Sequence, residues 1–394
     1  MDDVLDFPFH RNHPLDLPPE YEGLRASDGI SRVRIWDGSE AWLITRHEDS
    51  RALLKDPRLS SNTELRGFPH QNAGVMSQRS KRTFISMDSP EHAHYRQMVT
   101  GDFSVKRIEG LRDDLDAIVD ARLDALDAHG APADLVDLYA LPITSAAICL
   151  IVGVPYSDHD FFQDRSRKIV ARGVSVEEGQ QATEDLWGYL KQLLVSRYEN
   201  PEDDLMSRLA SNIVDGKLTE DEAVNIALVL LFGGHETTAN QIMMGVILLL
   251  EHPDQLKLLR SNPELLGSAV EEIHRFANVT HYGRRRVALE DIEVRGQVIR
   301  AGEGVIVAND AANRDGTIFE HPERFDITRD ARAQTGFGYG VHQCVGQRLA
   351  RAEVVVAIDK LFKRFPELQL VSDLDDVEFK DGVVYGVEEL EVSW

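Results

Sequence analysis

The chain has 394 residues, 42% hydrophobic and 28% charged, which is ample for a large core. Lys and Arg number 43 against 67 Asp and Glu, a formal net charge of −24, and such an acidic chain is a poor partner for nucleic acid because phosphates are repelled. Its two cysteines, Cys149 and Cys344, exclude a disulfide framework.

The N-terminus is acidic and carries neither a basic start nor an apolar block, so the expectation is no secretion signal, no membrane anchor and a cytoplasmic protein. Residues 1–20 read as an extended, Pro-rich segment. No Ser/Gly tract, low-complexity run or internal repeat follows, which leaves residues 1–394 as one expected domain. Two short strands come early, Ser31 to Trp36 and Ala41 to Thr45, with Asp37-Gly38 turning between them.

Helical periodicity then dominates. Pro90 and the acids around it open a helix that places His92 and Arg96 on one face, four residues apart. Leu111, Leu115, Ile118, Val119, Leu123 and Leu126 form one apolar stripe, closed by Gly130. Cys149 lies in the apolar run Ala146 to Val152 and reads as core. Phe161 to Ile169 and Trp187 to Tyr198 are further helices. Another starts at Leu218, where Thr219 and Glu222 make a capping box, and runs to about Glu251 before Pro253. Strand pairs return near Ile292 to Ile299, turning at Arg295-Gly296, and near Val377 to Val387 around Asp381-Gly382. The pattern predicts a mainly α protein with small peripheral β-sheets.

Inside the long helix stands Leu231-Phe232-Gly233-Gly234-His235-Glu236-Thr237-Thr238. Each glycine costs a helix interior about 1 kcal/mol relative to alanine, which implies a local opening or a close approach to something bulky. An acid beside a hydroxyl at such a place makes a plausible proton relay. The competing reading is a packing site whose Thr237 hydroxyl bonds its own backbone.

The run Phe337-Gly338-Tyr339-Gly340-Val341-His342-Gln343-Cys344-Val345-Gly346 is the most informative. A helical pattern follows at once, with Val345, Leu349, Ala352 and Val356 apolar. Cys344 therefore stands at a helix N-terminus, where orphan N–H groups favour a thiolate, and the glycines let backbone approach a flat partner.

On this run the chain resembles the cytochrome P450 family, whose ligand loop reads Phe-x-x-Gly-x-x-x-Cys-x-Gly. The resemblance implies that Cys344 is the axial thiolate on haem iron, with Phe337, Gly338 and Gly346 shaping the loop around haem b. Gly233 to Thr237 is similar to the family's Ala/Gly-Gly-x-Asp/Glu-Thr motif. That likeness assigns Thr237 to hydrogen-bonding the oxygen being activated and Glu236 to proton delivery, with Gly233 in place of the commoner alanine. His92 and Arg96 match its Pro-x-His-x-x-x-Arg helix, which with Arg286 and His342 would hold the haem propionates. Arg284 and Arg285 are expected to be plain surface residues. Glu272 and Arg275 coincide with the family's Glu-x-x-Arg motif, and Arg324 in Pro322-Glu323-Arg324-Phe325 is expected to complete that structural network. The implied fold is a single mainly helical domain burying haem between the long central helix and the cysteine loop.

By the same resemblance the activity is a haem-thiolate monooxygenation, hydroxylation or epoxidation, of a lipophilic small molecule such as a secondary metabolite or xenobiotic. Electrons would come from a separate ferredoxin and ferredoxin reductase, with Lys106, Arg107, Arg112, Arg348 and Arg351 as basic docking groups and a monomer as the working form. Val229, Phe232 and Gly233, then Val279, Thr280, His281 and Tyr282, then Val384 and Tyr385 would line the substrate pocket. The segments Leu59 to Phe84 and Phe161 to Tyr189 would form its entrance. One rival is a nitric oxide reductase-like member taking hydride from NADH through Arg79, Lys81 and Arg82; Glu236 beside Thr237 argues against it. A non-catalytic haem sensor or carrier would need no such pair.

Overall fold

The computed structural model describes residues 4–27, 30–73, 76, 83–170, 175–380 and 382–394. Its chain contacts fall into two compact units. One comprises Met1–His94, Met243–Val345 and Ser372–Glu388; the other comprises Tyr95–Ile242, Gly346–Val371 and Glu389–Trp394.

The first unit is organised by a six-stranded sheet in the order Leu5–Asp6, Ser31–Arg34, Glu40–Ile44, Gly304–Val307, Arg284–Ala288, Leu59–Ser60. The expected early hairpin is present, with Val33 opposite Ala41. Glu40–Ile44 then runs parallel to Gly304–Val307, and Arg284 to Val287 pair antiparallel with Val307 to Gly304. Side chains alternate across the sheet as strand geometry requires. Leu43 and Ile306 join Phe7, Phe9, Tyr21, Val33 and Ala311 on one face, while Trp42, Ile44, Val305 and Val307 meet Leu53, Leu54, Leu59 and Ala288 on the other. The expected two-residue turn between Ile292–Val294 and Gln297–Ile299 is made by Arg295 and Gly296, both at positive φ. A last antiparallel pair joins Phe379–Lys380 to Gly386–Val387; Asp381, placed in its turn, lies outside the described residues.

The second unit is helical. Of the stripe read from sequence, Leu115, Val119, Leu123 and Leu126 form the buried face of Arg112–His129, closed by Gly130 at φ 80°; Leu111 is the helix's N-cap and Ile118 is half-buried. It packs beside Gln347–Arg364, where Lys360 reaches Asp120 at 2.7 Å and Arg364 reaches Asp124 at 3.0 Å. Tyr139 donates its hydroxyl to the Ala357 carbonyl at 2.7 Å. Cys149 is buried in Leu141–Val152, and removal from water pushes its thiol up to about 12. The helix expected at Trp187 starts at Val176 instead and runs to Glu199. Its first turns are polar and carry no apolar period; the start is set by the Ser175–Glu178 capping box. Among the described residues no helix is long and apolar enough to cross a membrane.

The longest helix is Glu220–Glu251. Its predicted capping box is present: the Thr219 N–H donates to Glu222 at 2.7 Å and the Glu222 N–H to the Thr219 hydroxyl at 3.3 Å.

Candidate functional site

The cysteine loop is held by its own backbone. The Cys344 N–H donates to the Phe337 carbonyl at 2.9 Å, the Gly338 N–H to Thr335 at 2.8 Å and the Gln343 N–H to Gly340 at 3.1 Å. Gly338 and Gly340 sit at φ 73° and 77°. At Gly340 a side chain is excluded twice, because a Cβ would also collide with the Leu54 carbonyl. The Phe337 ring lies 4.4 Å from that of buried His274, which anchors the loop's first residue. Cys344 is exposed and stands just ahead of Gln347–Arg364, whose N-cap is Gly346.

Two imidazoles and the Arg284 guanidinium lie beside this loop. His92 is buried, and its ring centroid is 4.0 Å from that of His342. Arg96 is half-buried, one turn further along the same helix, Glu91–Thr100. Arg286 donates to the Arg285 carbonyl at 2.7 Å. Burial pulls its guanidinium down to about 10; the like charge of Arg284 adds to this and Asp88 opposes it. The structure corrects the surface reading of Arg284 and Arg285. Arg284 donates to the Gly336 carbonyl at 3.0 Å, and Arg285 donates to the carbonyls of Pro69 at 2.6 Å and His70 at 3.1 Å. The donor set fits haem: glycines that admit a flat ring, a thiol for the metal, and cationic or donating groups for two carboxylates.

The ion network around Glu272 differs from expectation in one member. Glu272 and Arg275 are fully buried and bonded fork to fork, Nε to Oε2 and Nη2 to Oε1, both at 2.7 Å. The third guanidinium is that of Arg329, whose Nε meets Glu272 Oε1 at 3.2 Å. Arg324 is exposed and contributes only its carbonyl, which accepts from Arg275 and Arg329 at 3.2 Å each. The Asp326 N–H also donates to Glu272 at 3.0 Å. Two arginines lie in this short stretch, and their spacing alone does not tell which one turns inward.

On the long helix the two glycines have different reasons. Gly234 is a close approach: a Cβ there would sit 3.0 Å from the Ile148 side chain, whereas nothing lies within 4 Å of one at Gly233. The helix runs through both without a break. The Thr237 hydroxyl donates to the Gly233 carbonyl at 2.6 Å, and Glu236 is half-buried beside it. Gly234→Ala is therefore expected to destabilise by about 1–3 kcal/mol through overpacking. Gly233→Ala should be neutral or stabilising by up to about 1 kcal/mol. Chemical denaturation of the two variants against the parent checks the pair, and equal midpoints would refute the assignment.

The expected pocket residues fall into sets. Val229, Phe232 and Gly233 lie on Glu220–Glu251, the first two half-buried. Val279, His281, Tyr282 and Tyr385 are brought together: the Tyr385 N–H donates to the Val279 carbonyl at 2.7 Å, and His281 stacks on Tyr282 at 4.2 Å and lies 4.9 Å from Tyr385. Tyr385 is partly spent on structure, its hydroxyl donating to the Pro14 carbonyl at 2.9 Å and Arg11 covering its ring. Thr280 bonds Asn278 at 3.0 Å, and Val384 is half-buried. Arg79, Lys81 and Arg82 lie outside the described residues, as does part of the Leu59 to Phe84 entrance. Of the basic docking groups, Arg107 is committed to Asp203 at 2.6 Å and Arg112 to Asp116 at 3.2 Å, and Arg351 bonds the Gln347 carbonyl at 3.2 Å. Lys106 and Arg348 are exposed with no ion pair among the described residues.

A family model described as cytochrome P450 matches residues 33–392. Vitamin D3 dihydroxylase of Streptomyces griseolus is 43% identical over 396 residues, covering 100% of this chain and 97% of that protein. The crystal structure of GfsF, a cytochrome P450 of Streptomyces halstedii, gives a TM-score of 0.96 at 41% identity, covering 99% of this chain and 100% of that one. The mycinamicin VIII C21 methyl hydroxylase MycCI of Micromonospora griseorubida, solved with mycinamicin VIII bound, gives 0.92 at 37% identity over 99% of this chain and 100% of that one.

Proposed function

The chain belongs to the cytochrome P450 family, and on that premise we propose how its residues divide the work of a haem-dependent monooxygenase. It is an oxidoreductase of lipophilic small molecules, served by redox partners, with haem b as cofactor. The bound haem supplies the iron chemistry by which one atom of dioxygen enters the substrate.

Cys344 holds the iron as a thiolate. His92, Arg96, Arg286 and His342 take the two propionates, since buried carboxylates need donors or cations. Glu272 with Arg275 and Arg329 fixes the stretch that leads into the loop. Glu236 and Thr237 hold and move protons from the long helix: the Thr237 hydroxyl, parked on the Gly233 carbonyl at 2.6 Å, is one torsion away from serving another acceptor. The observation that carries this reading is the loop closed by the Cys344 N–H on Phe337, with two of its glycines at positive φ.

A ferredoxin and its reductase are the proposed electron donors, the whole of residues 1–394 the working domain and a monomer the working form. Lys106 and Arg348 are the exposed cations left to meet an acidic partner. The substrate is proposed to be a bulky ring-containing metabolite or xenobiotic, by likeness to the vitamin D3 and mycinamicin VIII enzymes.

Reconstitution with ferredoxin, reductase and NADPH tests the reading against a panel of sterols, macrolides and terpenoids. An oxygenated product from at least one of them is expected, and NADH consumption under nitric oxide without a ferredoxin would contradict it. Thr237→Ala should keep consuming reductant while product per reductant falls about tenfold or more. Undiminished coupling in that variant would remove Thr237 from the relay.

A further inference from the structure

Arg284-Arg285-Arg286 is a run of three guanidiniums on one short strand, Arg284–Ala288, inside a strongly acidic protein. Strand geometry sends the middle side chain to one face and the outer two to the other. Arg285 is accounted for by the carbonyls of Pro69 and His70. Arg284 and Arg286 share the opposite face and are half-buried, and the like charge of Arg284 bears on Arg286.

Their protein partners are few. Arg284 has the Gly336 carbonyl at 3.0 Å and Arg286 the Arg285 carbonyl at 2.7 Å. Neither makes an ion pair among the described residues. Asp88, a carboxylate whose charge acts on Arg286, already accepts from the Ser60 hydroxyl and, at 2.8 Å, from the Ser61 N–H. Two half-buried like charges on one strand face, each hydrogen-bonded to a backbone carbonyl, leave donors that an anion would complete. Arg284 also faces the cysteine loop. Its Nε lies 3.4 Å from where a Gly338 Cβ would project.

We propose that Arg284 is a further cofactor-binding residue: with Arg286 it forms a two-guanidinium clamp on the haem carboxylates, tied through Gly336 to the loop that carries Cys344. This rests on the haem-thiolate reading above. It places one guanidinium more at the carboxylates than the motif match to Arg286 supplies. The clamp couples two events, because the residue that grips a carboxylate also steadies the limb of the loop ahead of the thiolate.

The test is haem loss from the loaded protein, measured as transfer to excess apomyoglobin. Arg284→Gln is expected to lose haem b about tenfold faster or more, since a charge-assisted bond is removed. The decisive arm repeats the measurement on protein reconstituted with the dimethyl ester of haem b, which has no carboxylates. There Arg284→Gln and the parent should release at the same rate. Equal acceleration with both haems would show that Arg284 acts only through Gly336, and no acceleration with haem b would remove it from the site; either result overturns the clamp. Should the glutamine variant fail to fold, Arg284→Lys carries the same comparison, keeping a charge but losing the planar fork. Failure of the underlying reading looks different: the parent itself would then lack a thiolate-type carbon monoxide spectrum.

Discussion

Cys344→Ser is expected to abolish monooxygenase activity, by more than about a thousandfold, while leaving a folded protein. The fold should survive because the loop is closed by backbone: the bond from the residue 344 N–H to the Phe337 carbonyl and the glycine geometry at Gly338 and Gly340 do not involve sulfur. The donors proposed for the carboxylates, His92, Arg96, Arg286 and His342, are also untouched, so haem should still enter, if less tightly. What disappears is the anionic sulfur that pushes electron density onto iron, and a loss of three decades corresponds to only about 4 kcal/mol of barrier. The reduced carbon monoxide complex should lose the thiolate-type Soret band. Cys149→Ala is the control. Cys149 is the only other cysteine, lies buried in an apolar helix, and should cost stability through a small cavity while leaving the spectrum intact. A thiolate-type band that persists in Cys344→Ser, or vanishes in Cys149→Ala, would refute the ligand assignment.

The features legible in the sequence are those whose cause is local. The cysteine loop, the capping box at Thr219 and Glu222, the positive-φ turn at Arg295-Gly296 and the stripe closed by Gly130 all follow from residues a few positions apart. Contacts set by the tertiary fold were not legible. Three consecutive arginines look like a solvated face until the strand pairs with Gly304–Val307 and its alternation is fixed. Arg107 looks available to a partner protein until the fold brings Asp203 to it. The glycine pair on the long helix signals a special position, yet only the approach of Ile148 reveals which of the two is tightly packed. In each case a residue distant in sequence decides what the nearby pattern leaves open.

The Glu272 network gives the second large effect and separates two arginines that the sequence could not. Glu272→Ala removes the one carboxylate that Arg275 and Arg329 share and leaves a fully buried guanidinium uncompensated. Breaking a buried pair in this way costs about 3–5 kcal/mol. Through Arg275 the damage reaches the carbonyls of Asn313 at 3.0 Å and Pro322 at 2.8 Å. From Asn313 it passes to Thr335, whose N–H bonds the Asn313 side chain at 2.7 Å two residues before Phe337. Loss of haem incorporation is therefore expected along with the loss of stability, and soluble, fully loaded Glu272→Ala protein would contradict the network's role. Arg329→Ala should be milder, about 1–3 kcal/mol, because Glu272 keeps Arg275 and the Asp326 N–H. Arg324→Ala should stay within about 0.5 kcal/mol of the parent, since its side chain is exposed and its carbonyl survives the change. Denaturation midpoints and haem-to-protein ratios across the three variants read the order directly. If Arg324→Ala proved as damaging as Arg329→Ala, the inward guanidinium would have been misassigned.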